Sequence, residues 1–536
     1  MRHILILILL LSTGTIGLDA QTYMYRLELK DKGNSGYSID NPLAFLSERS
    51  IERRTRQGLV IDETDLPISQ EYIDALVEKG AKIRATSKWV STISIEIEDK
   101  SLLSSILELP FVKNASLVWK GYRSSSASKS REENIERAIT YNQSDYGLGY
   151  EQIAINSGQE LHSLGFTGEG IWIAVMDGGF DQAYLMTDYF DWSKIIEVKN
   201  FTHEKPDPLD NYETHGTSVL STMLADKKGV LVGTAPAAEY FLFQTENNND
   251  EYPIEEDYWV YALEYADSLG VDIVSTSLGY YEFNDPSLNH THADLDGYTV
   301  PASRAASMAV NKGMILSTAA GNEGNKAWKK ISPPSDADHI LAVGSVDAYG
   351  NISSFSSLGY SEDGRVKPDI LGMGEWAWLA TYPYSEPRPG NGTSFSCPLI
   401  SGMTACLWQA LPELTAFQIM DLIRSSSSHY YNPNEYYGYG IPDFALAYET
   451  GKEIVSIDQP VIEKNAIEIQ IIDNHLFISP SGNKTESLSL RIYSASGLLV
   501  LQRNNEQMID ISSLERGVYI AQVRSNGQIA TKKFIR

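Results

Sequence analysis

Apolar residues recur along this chain with three different periods, and each period marks a block. From Tyr23 to about Lys120, strand-like alternation (YRLELK, KIRATS, TISIEIE, FVKNASLV) is interleaved with helical spacing near Ala44–Gln57, Gln70–Val77 and in LLSSILEL. Strands crossed by helices over so short a length predict a small α+β domain. From about Tyr146 to Lys452 the strands become near-continuous apolar runs: IWIAVM, YFLFQ, DIVSTS, MILSTAA and ILAVGSV. Helix-length segments such as THGTSVLSTMLA, ALEYADSLG and SRAASMAVNKG separate them. Unbroken apolar strands alternating with helices predict an α/β fold, a parallel sheet covered by helices on both faces. From about Ile454 to Arg536 the helical period disappears. IEIQII, HLFIS, LSLRIYS, LLVLQR, GVYIAQV and QIATKKF predict a β-sandwich, with Asn526-Gly527 as a hairpin turn.

The polar stretch RSSSASKSREENIER between the first two blocks has no apolar period and reads as an exposed linker open to proteolysis. The opening MRHILILILLLSTGTIGLDAQ has a basic start, a short apolar core and small residues before Gln21, the pattern of a secretory signal cut after Ala20. The expected order is therefore 1–20 signal, 21–120 α+β domain, 121–145 linker and processing region, 146–452 α/β domain and 453–536 sandwich. Asp and Glu outnumber Lys and Arg by 70 to 43, a formal net charge of -27 that repels nucleic acid and anionic membranes. The two cysteines, Cys397 and Cys406, fall nine residues apart on one predicted helix. That spacing sets them about 13 Å apart on opposite faces, too far to pair, so two buried thiols are expected.

Parallel α/β sheets bind ligands at the carboxyl ends of their strands. Four polar residues fall on that rim. Asp177 ends IWIAVM in the turn DGG, His215 starts the helix HGTSVLSTMLA, Asn322 follows MILSTAA in GNEG, and Ser394 opens the apolar helix after NGT. Each has an ordinary alternative: a turn Asp, a surface His, a loop Asn, a helix-capping Ser. Their joint placement raises all four. The elbow G-x-S-x-G of α/β-hydrolases is missing, because Gly392-Thr393-Ser394-Phe395 is followed by Ser396.

The motifs VMDGG, THGTS, SLGY (277–280), AAGNEG, VKPDILGMG (366–374) and NGTSFSCP stand in the order of the subtilisin-like serine proteases, and the middle block resembles that family. The resemblance implies a subtilisin-like parallel sheet and a serine endopeptidase. Ser394 would be the nucleophile, His215 the base, and Asp177 the carboxylate orienting it, through an acyl-enzyme. Asn322 and the Ser394 backbone N–H would hold the oxyanion. Ser277, Leu278 and Gly279 would form the edge on which an extended peptide adds as a strand, and Ala320 and Gly321 the facing pocket wall. Ser218, Gly178 and Phe395-Ser396-Cys397 depart from the common family pattern without removing a triad group or an oxyanion donor.

The first block resembles the propeptide of these proteases, an intramolecular inhibitor, and implies a zymogen; a separate adhesive α+β domain is the alternative. The last block, ending GVYIAQVRSNGQIATKKFIR, is similar to the sorting domains of type IX secretion. That implies export across the inner and outer membranes of a Gram-negative bacterium, secretion or cell-surface display, and the secretion machinery as partner; an ordinary carbohydrate- or protein-binding sandwich is the alternative. Protein or peptide substrates are expected, and nucleic acid is not. No cofactor is expected for catalysis and no metal ligand is assigned. Structural calcium, frequent in the family, would be sought at NHTHADLDG, where His290, His292, Asp294 and Asp296 alternate, and at the acidic TENNNDEYPIEED. The rival to an active protease is a secreted or surface-displayed binding protein with a vestigial protease domain.

Overall fold

The computed structural model describes residues 21–121 and 143–536, apart from 203–206, 212, 248–249, 459–466, 473, 480–487, 495–498, 515–516 and 526–527. The signal sequence, most of the predicted linker and the Asn526-Gly527 turn lie outside the described residues.

A seven-stranded parallel sheet organises the middle block. Its order is Ile370–Met373, Leu341–Val346, Ile315–Ala319, Ile273–Thr276, Trp172–Asp177, Glu239–Gln244 and Ile195–Asn200. The central strands are buried along nearly their whole length, as their unbroken apolar runs require. Two strands escape the sequence reading. Ile195–Asn200 is an edge strand with no buried position, half-buried except at the exposed Ile196, and IIEVKN shows no long apolar run. Ile370–Met373 spans only four residues, interrupted by a glycine, too few to stand out as an apolar run. Helices His215–Leu224 and Thr393–Ala410 pack together, as do Ile254–Leu269 and Pro301–Ala309, and both pairs lie against the strands Trp172–Asp177 and Ile315–Ala319. The chain crosses the Trp172–Asp177 strand on passing from Glu239–Gln244 to Ile273–Thr276. That reversal of strand order leaves a crevice at the carboxyl ends.

The first block is a four-stranded antiparallel sheet, Lys82–Ser87, Thr92–Ile97, Thr22–Leu29 and Val112–Gly121, with helices Glu48–Arg56, Gln70–Glu78 and Leu102–Leu107. It packs in one unit with the middle block, docked on the helix Ile254–Leu269. Burial and charge both join them. Met24, Ala85, Trp89, Val118 and Trp119 enter the hydrophobic cluster of the middle block. Arg26 pairs with Glu256 at 2.9 Å and with Asp257; Arg53 reaches Asp267 at 2.5 Å; Arg54 bridges Asp65 at 2.8 Å and Asp267 at 2.7 Å. Burial alone would raise the Asp267 carboxyl, but Arg54, Arg53 and Lys88 outweigh it and hold it below the usual range.

Arg54→Ala takes one cation from two buried carboxylates, leaving Asp267 with Arg53 and Asp65 with Lys312, and should weaken this docking by about 3 kcal/mol, the low end of the cost of removing one partner of a buried pair. The expected result is a lowered unfolding temperature of the full-length chain. An unchanged temperature would show the pair to be dispensable.

The last unit, Lys452–Arg536, contains a three-stranded sheet (Glu468–Ile472, His475–Ser479, Met508–Asp510) and a four-stranded one (Leu499–Asn504, Leu488–Ser494, Val518–Ser525, Gln528–Ile535). Both contribute to one apolar core that includes Leu476, Leu490, Ile492, Val523 and Phe534. Ser525 pairs opposite Gln528, so the final ladder is the expected hairpin. The three-residue strand Met508–Asp510 is too short to announce itself by pattern.

Candidate active site

Asp177 ends the strand at the reversal of strand order and is fully buried. Its Oδ1 accepts the Gly178 N–H at 2.8 Å. His215 begins its helix and points Nδ1 at the same carboxylate, 2.8 Å from Oδ1 and 3.1 Å from Oδ2. A carboxylate on that side fixes the proton on Nδ1 and leaves Nε2 as the free acceptor. The next residue must be glycine: a Cβ at Gly216 would lie 2.3 Å from the Gly179 carbonyl oxygen, which accepts the Gly216 N–H at 3.1 Å. Burial opposes the imidazolium, but the Asp177 charge, its hydrogen bond and Glu213 outweigh it and raise the His215 pKa above 6.5. The ring stays open on one side, with 35% of its side chain exposed.

Ser394 is the second residue of the helix Thr393–Ala410 rather than its cap, so Gly392 takes the flanking position. Its Oγ lies 3.5 Å from the Ser277 carbonyl oxygen, the limit of a hydrogen bond, and the Ser277 hydroxyl donates to the Ser394 carbonyl at 2.9 Å. Among the described residues, the hydroxyl of Ser394 is turned to Ser277 and not to His215. Phe395 follows, its ring 5.9 Å from the imidazole.

Asn322 faces the same helix start. Its Oδ1 accepts the Thr393 N–H at 2.9 Å and the Thr393 hydroxyl at 3.1 Å, so the amide nitrogen is turned the other way. A Cβ on Gly392, whose φ is +155°, would stand 3.7 Å from both Asn322 Nδ2 and the Ser394 backbone nitrogen. Two N–H donors therefore flank one small space, kept clear by a glycine. Thr393 sets that amide orientation, a role sequence reasoning missed; its only signal was a place beside Ser394.

Ser277, Leu278 and Gly279 continue from one strand, and Ala320 and Gly321 from the next. Both segments are tied to the same short turn: Ser332 N–H donates to the Ala320 carbonyl at 3.1 Å, and Tyr280 N–H to the Pro333 carbonyl at 2.8 Å. A Cβ on Gly279 or on Gly321 would meet the Ser332 side chain at 2.8 and 3.0 Å, so Ser332 lies between the two segments.

The loop NHTHADLDG does not converge on a cation. His290 pairs with Glu256, His292 Nε2 lies 3.0 Å from the Trp328 carbonyl oxygen, Asp294 binds Thr291, and Asp296 binds Tyr298 and Thr299. In the other acidic run, Ile254, Glu255, Glu256 and Asp257 form the first turn of a helix that Pro253 opens. Glu246, Glu251 and Glu255 bring carboxylate oxygens within 4.8 Å of one another. Burial raises all three first; repulsion from Glu251 adds to it at Glu246, from Glu256 at Glu251, and from Glu246 and Glu251 at Glu255, taking Glu246 to about 8 and Glu251 to about 7. Oxygen donors alone suit calcium rather than zinc. However, the Tyr280 hydroxyl at 2.7 Å and the backbone N–H groups of Asn247 and Tyr252 already occupy part of the set.

Cys397 and Cys406 are buried free thiols. Burial pushes Cys397 up to about 12, so neither acts as a nucleophile near neutral pH.

Comparison with known proteins shows the family of the chain. Residues 168–440 match the model of the subtilase family, residues 24–135 that of the peptidase S8 propeptide domain of Bacteroidota, and residues 463–536 that of the secretion system C-terminal sorting domain. Subtilisin NAT of Bacillus subtilis subsp. natto is 26% identical over 372 residues, covering 69% of this chain and 83% of the relative. The major intracellular serine protease of Bacillus subtilis is 30% identical over 267 residues, covering 48% and 74%. The crystal structure of an epidermin leader peptide processing serine protease from Staphylococcus aureus superposes with a TM-score of 0.51. It is 16% identical and covers 80% of this chain and 99% of that one, a likeness of fold alone. The sorting domain points to export or the cell surface, and among the described residues no helix is long and apolar enough to cross a membrane. The chain belongs to the subtilase family, and it is a serine-type endopeptidase that carries its own propeptide domain and a secretion sorting domain.

Proposed function

We propose that this secreted zymogen hydrolyses peptide bonds of proteins through Asp177, His215 and Ser394. The observation that carries the reading is the Asp177–His215 hydrogen bond beside a serine that shares its helix start with two inward N–H donors. The Ser394 hydroxyl leaves Ser277 by rotating about its Cα–Cβ bond and gives its proton to His215 Nε2 as Oγ attacks the scissile carbonyl. The carbonyl oxygen becomes an oxyanion held by Asn322 Nδ2 and the Ser394 N–H. The imidazolium, stabilised by Asp177, then protonates the departing amine. Water repeats the sequence on the acyl-enzyme, giving the carboxylate product and free Ser394.

The peptide enters along Ser277–Gly279 as an added strand, with Ala320 and Gly321 as the opposite wall. The propeptide of residues 21–120 blocks this enzyme in cis until cleavage within 121–145, leaving 146–452 as the catalytic domain. Residues 453–536 carry the chain through the secretion machinery of a Gram-negative envelope. No cofactor enters the chemistry. Structural calcium, where bound, would be held by Glu246, Glu251 and Glu255, in competition with the backbone N–H groups of Asn247 and Tyr252 that both Glu255 oxygens accept.

A fluorophosphonate should label the processed enzyme once, on the peptide containing Ser394, and His215→Ala should abolish the label. Labelling elsewhere, or at the same rate without the imidazole, would overturn the assignment. Asn322→Ala removes one oxyanion donor and should lower kcat by about 10²–10³, the range found for the same kind of donor in subtilisin, with KM little changed. Steady-state peptide hydrolysis measures the split. A loss confined to KM would place Asn322 in ground-state binding.

A further inference from the structure

Two loops leave the carboxyl ends of the strands Glu239–Gln244 and Ile273–Thr276 and run side by side. They are laced together twice: the Tyr280 hydroxyl donates to Glu246 at 2.7 Å, and the Asn284 N–H to the Glu251 carbonyl at 2.9 Å. The second loop begins at Ser277, against Ser394. At its other end the loops hold a piece of this same chain, the end of the propeptide strand Val112–Gly121.

The contact is a pair of side chains. Val118 and Trp119 are buried in one cluster with Tyr252, Tyr280 and Phe283, and the Trp119 ring meets the Tyr252 ring edge-on at 6.2 Å. Lys120 Nζ lies 2.7 Å from Asp285 Oδ2. The Asp285 carboxylate is preset for this. Its Oδ1 accepts the Ser287 N–H at 3.1 Å and the Ser287 hydroxyl at 2.7 Å, which leaves Oδ2 for Lys120.

We propose that Tyr252 and Asp285 form a specificity site for an aromatic residue followed directly by a basic one, upstream of the bond to be cut, and that Trp119-Lys120 fills it in the zymogen. The site rests on the endopeptidase reading above. A propeptide residue pair held there by side chains leaves with the propeptide, and the same ring face and carboxylate oxygen then meet substrate. A substrate offering the matching pair gains a ring contact and an ion pair, and one with an acid at the second position meets like charge.

The test takes the enzyme as matured from the full chain, and the peptide SLVWKGYRSSSAS, which is residues 116–128 of this sequence. Two altered peptides replace Lys120 by Glu or Trp119 by Ala. The expected kcat/KM falls about tenfold or more for each alteration, with cleavage on the carboxyl side of Lys120 by mass spectrometry. Asp285→Lys should reverse the preference between the Lys and Glu peptides. It is made with Lys120→Asp, which keeps opposite charges together during maturation. The wild-type comparison needs no variant to fold. An enzyme that digests casein yet cuts the Lys and Glu peptides equally, or cuts before Trp119, overturns this site alone. One that digests neither casein nor peptide overturns the endopeptidase reading as well.

Discussion

Ser394→Ala should leave the full-length chain uncut, with kcat on peptide substrates lowered by about 10⁶, the loss measured for the nucleophile of subtilisin. The effect belongs to chemistry and not to folding. The hydroxyl that is deleted makes only a marginal 3.5 Å contact with the Ser277 carbonyl, while the 2.9 Å bond from the Ser277 hydroxyl goes to the Ser394 backbone oxygen and survives. Losing so weak a bond costs at most about 1 kcal/mol, and the apolar helix around it is untouched. The variant should therefore unfold at nearly the wild-type temperature, remain a zymogen on a gel, and be trimmed when active enzyme is added in trans. Autoprocessing by the purified variant at the wild-type rate, without added protease, would remove Ser394 from the mechanism. A residual activity some 10³–10⁴ over the uncatalysed reaction is compatible with the assignment, because the oxyanion donors at Asn322 and the Ser394 N–H remain.

The groups of this site were legible in the sequence because each sits at the boundary of an element. Asp177 ends an unbroken apolar strand, and His215 and Ser394 begin helices, so local pattern places all three on one rim before any coordinates are known. What orients them was not legible. Thr393 holds the Asn322 amide from 71 residues away, and nothing in NGTS says which way that amide turns. The seam between propeptide and enzyme depends on Arg53 and Arg54 meeting Asp267 more than 200 residues away, a pairing that composition cannot announce. The alternation of NHTHADLDG misleads for a related reason. Alternate residues share a face only in an extended strand, and this loop folds into short 3-10 turns at Pro286–Leu288 and His292–Asp294. In the acidic run before Tyr258, charge masks the helical period. Yet Glu255, Glu256 and Asp257 stand where a helix start favours negative charge, and the propeptide arginine Arg26 supplies the counter-charge to two of them.

Asp177→Asn should lower kcat by about 10⁴ while leaving the fold in place. The argument turns on which imidazole nitrogen carries the proton. With a carboxylate 2.8 and 3.1 Å from Nδ1, the ring must donate there, and Nε2 is free to take the Ser394 proton. Asparagine puts an N–H₂ group where Oδ2 now stands. A donor at that position favours the tautomer with its proton on Nε2, which cannot act as base. The pH profile should move as well. Burial depresses the His215 pKa, and the Asp177 charge and hydrogen bond lift it above 6.5. In the wild type, activity should be lost as pH falls through that raised value, because a protonated ring accepts nothing. In Asp177→Asn the burial stays and the lift goes, so the acid limb of kcat/KM should slide to lower pH even as the plateau drops. A structural role for Asp177 would lower the plateau without moving the limb. Full wild-type turnover in Asp177→Asn would remove the carboxylate from the catalytic set.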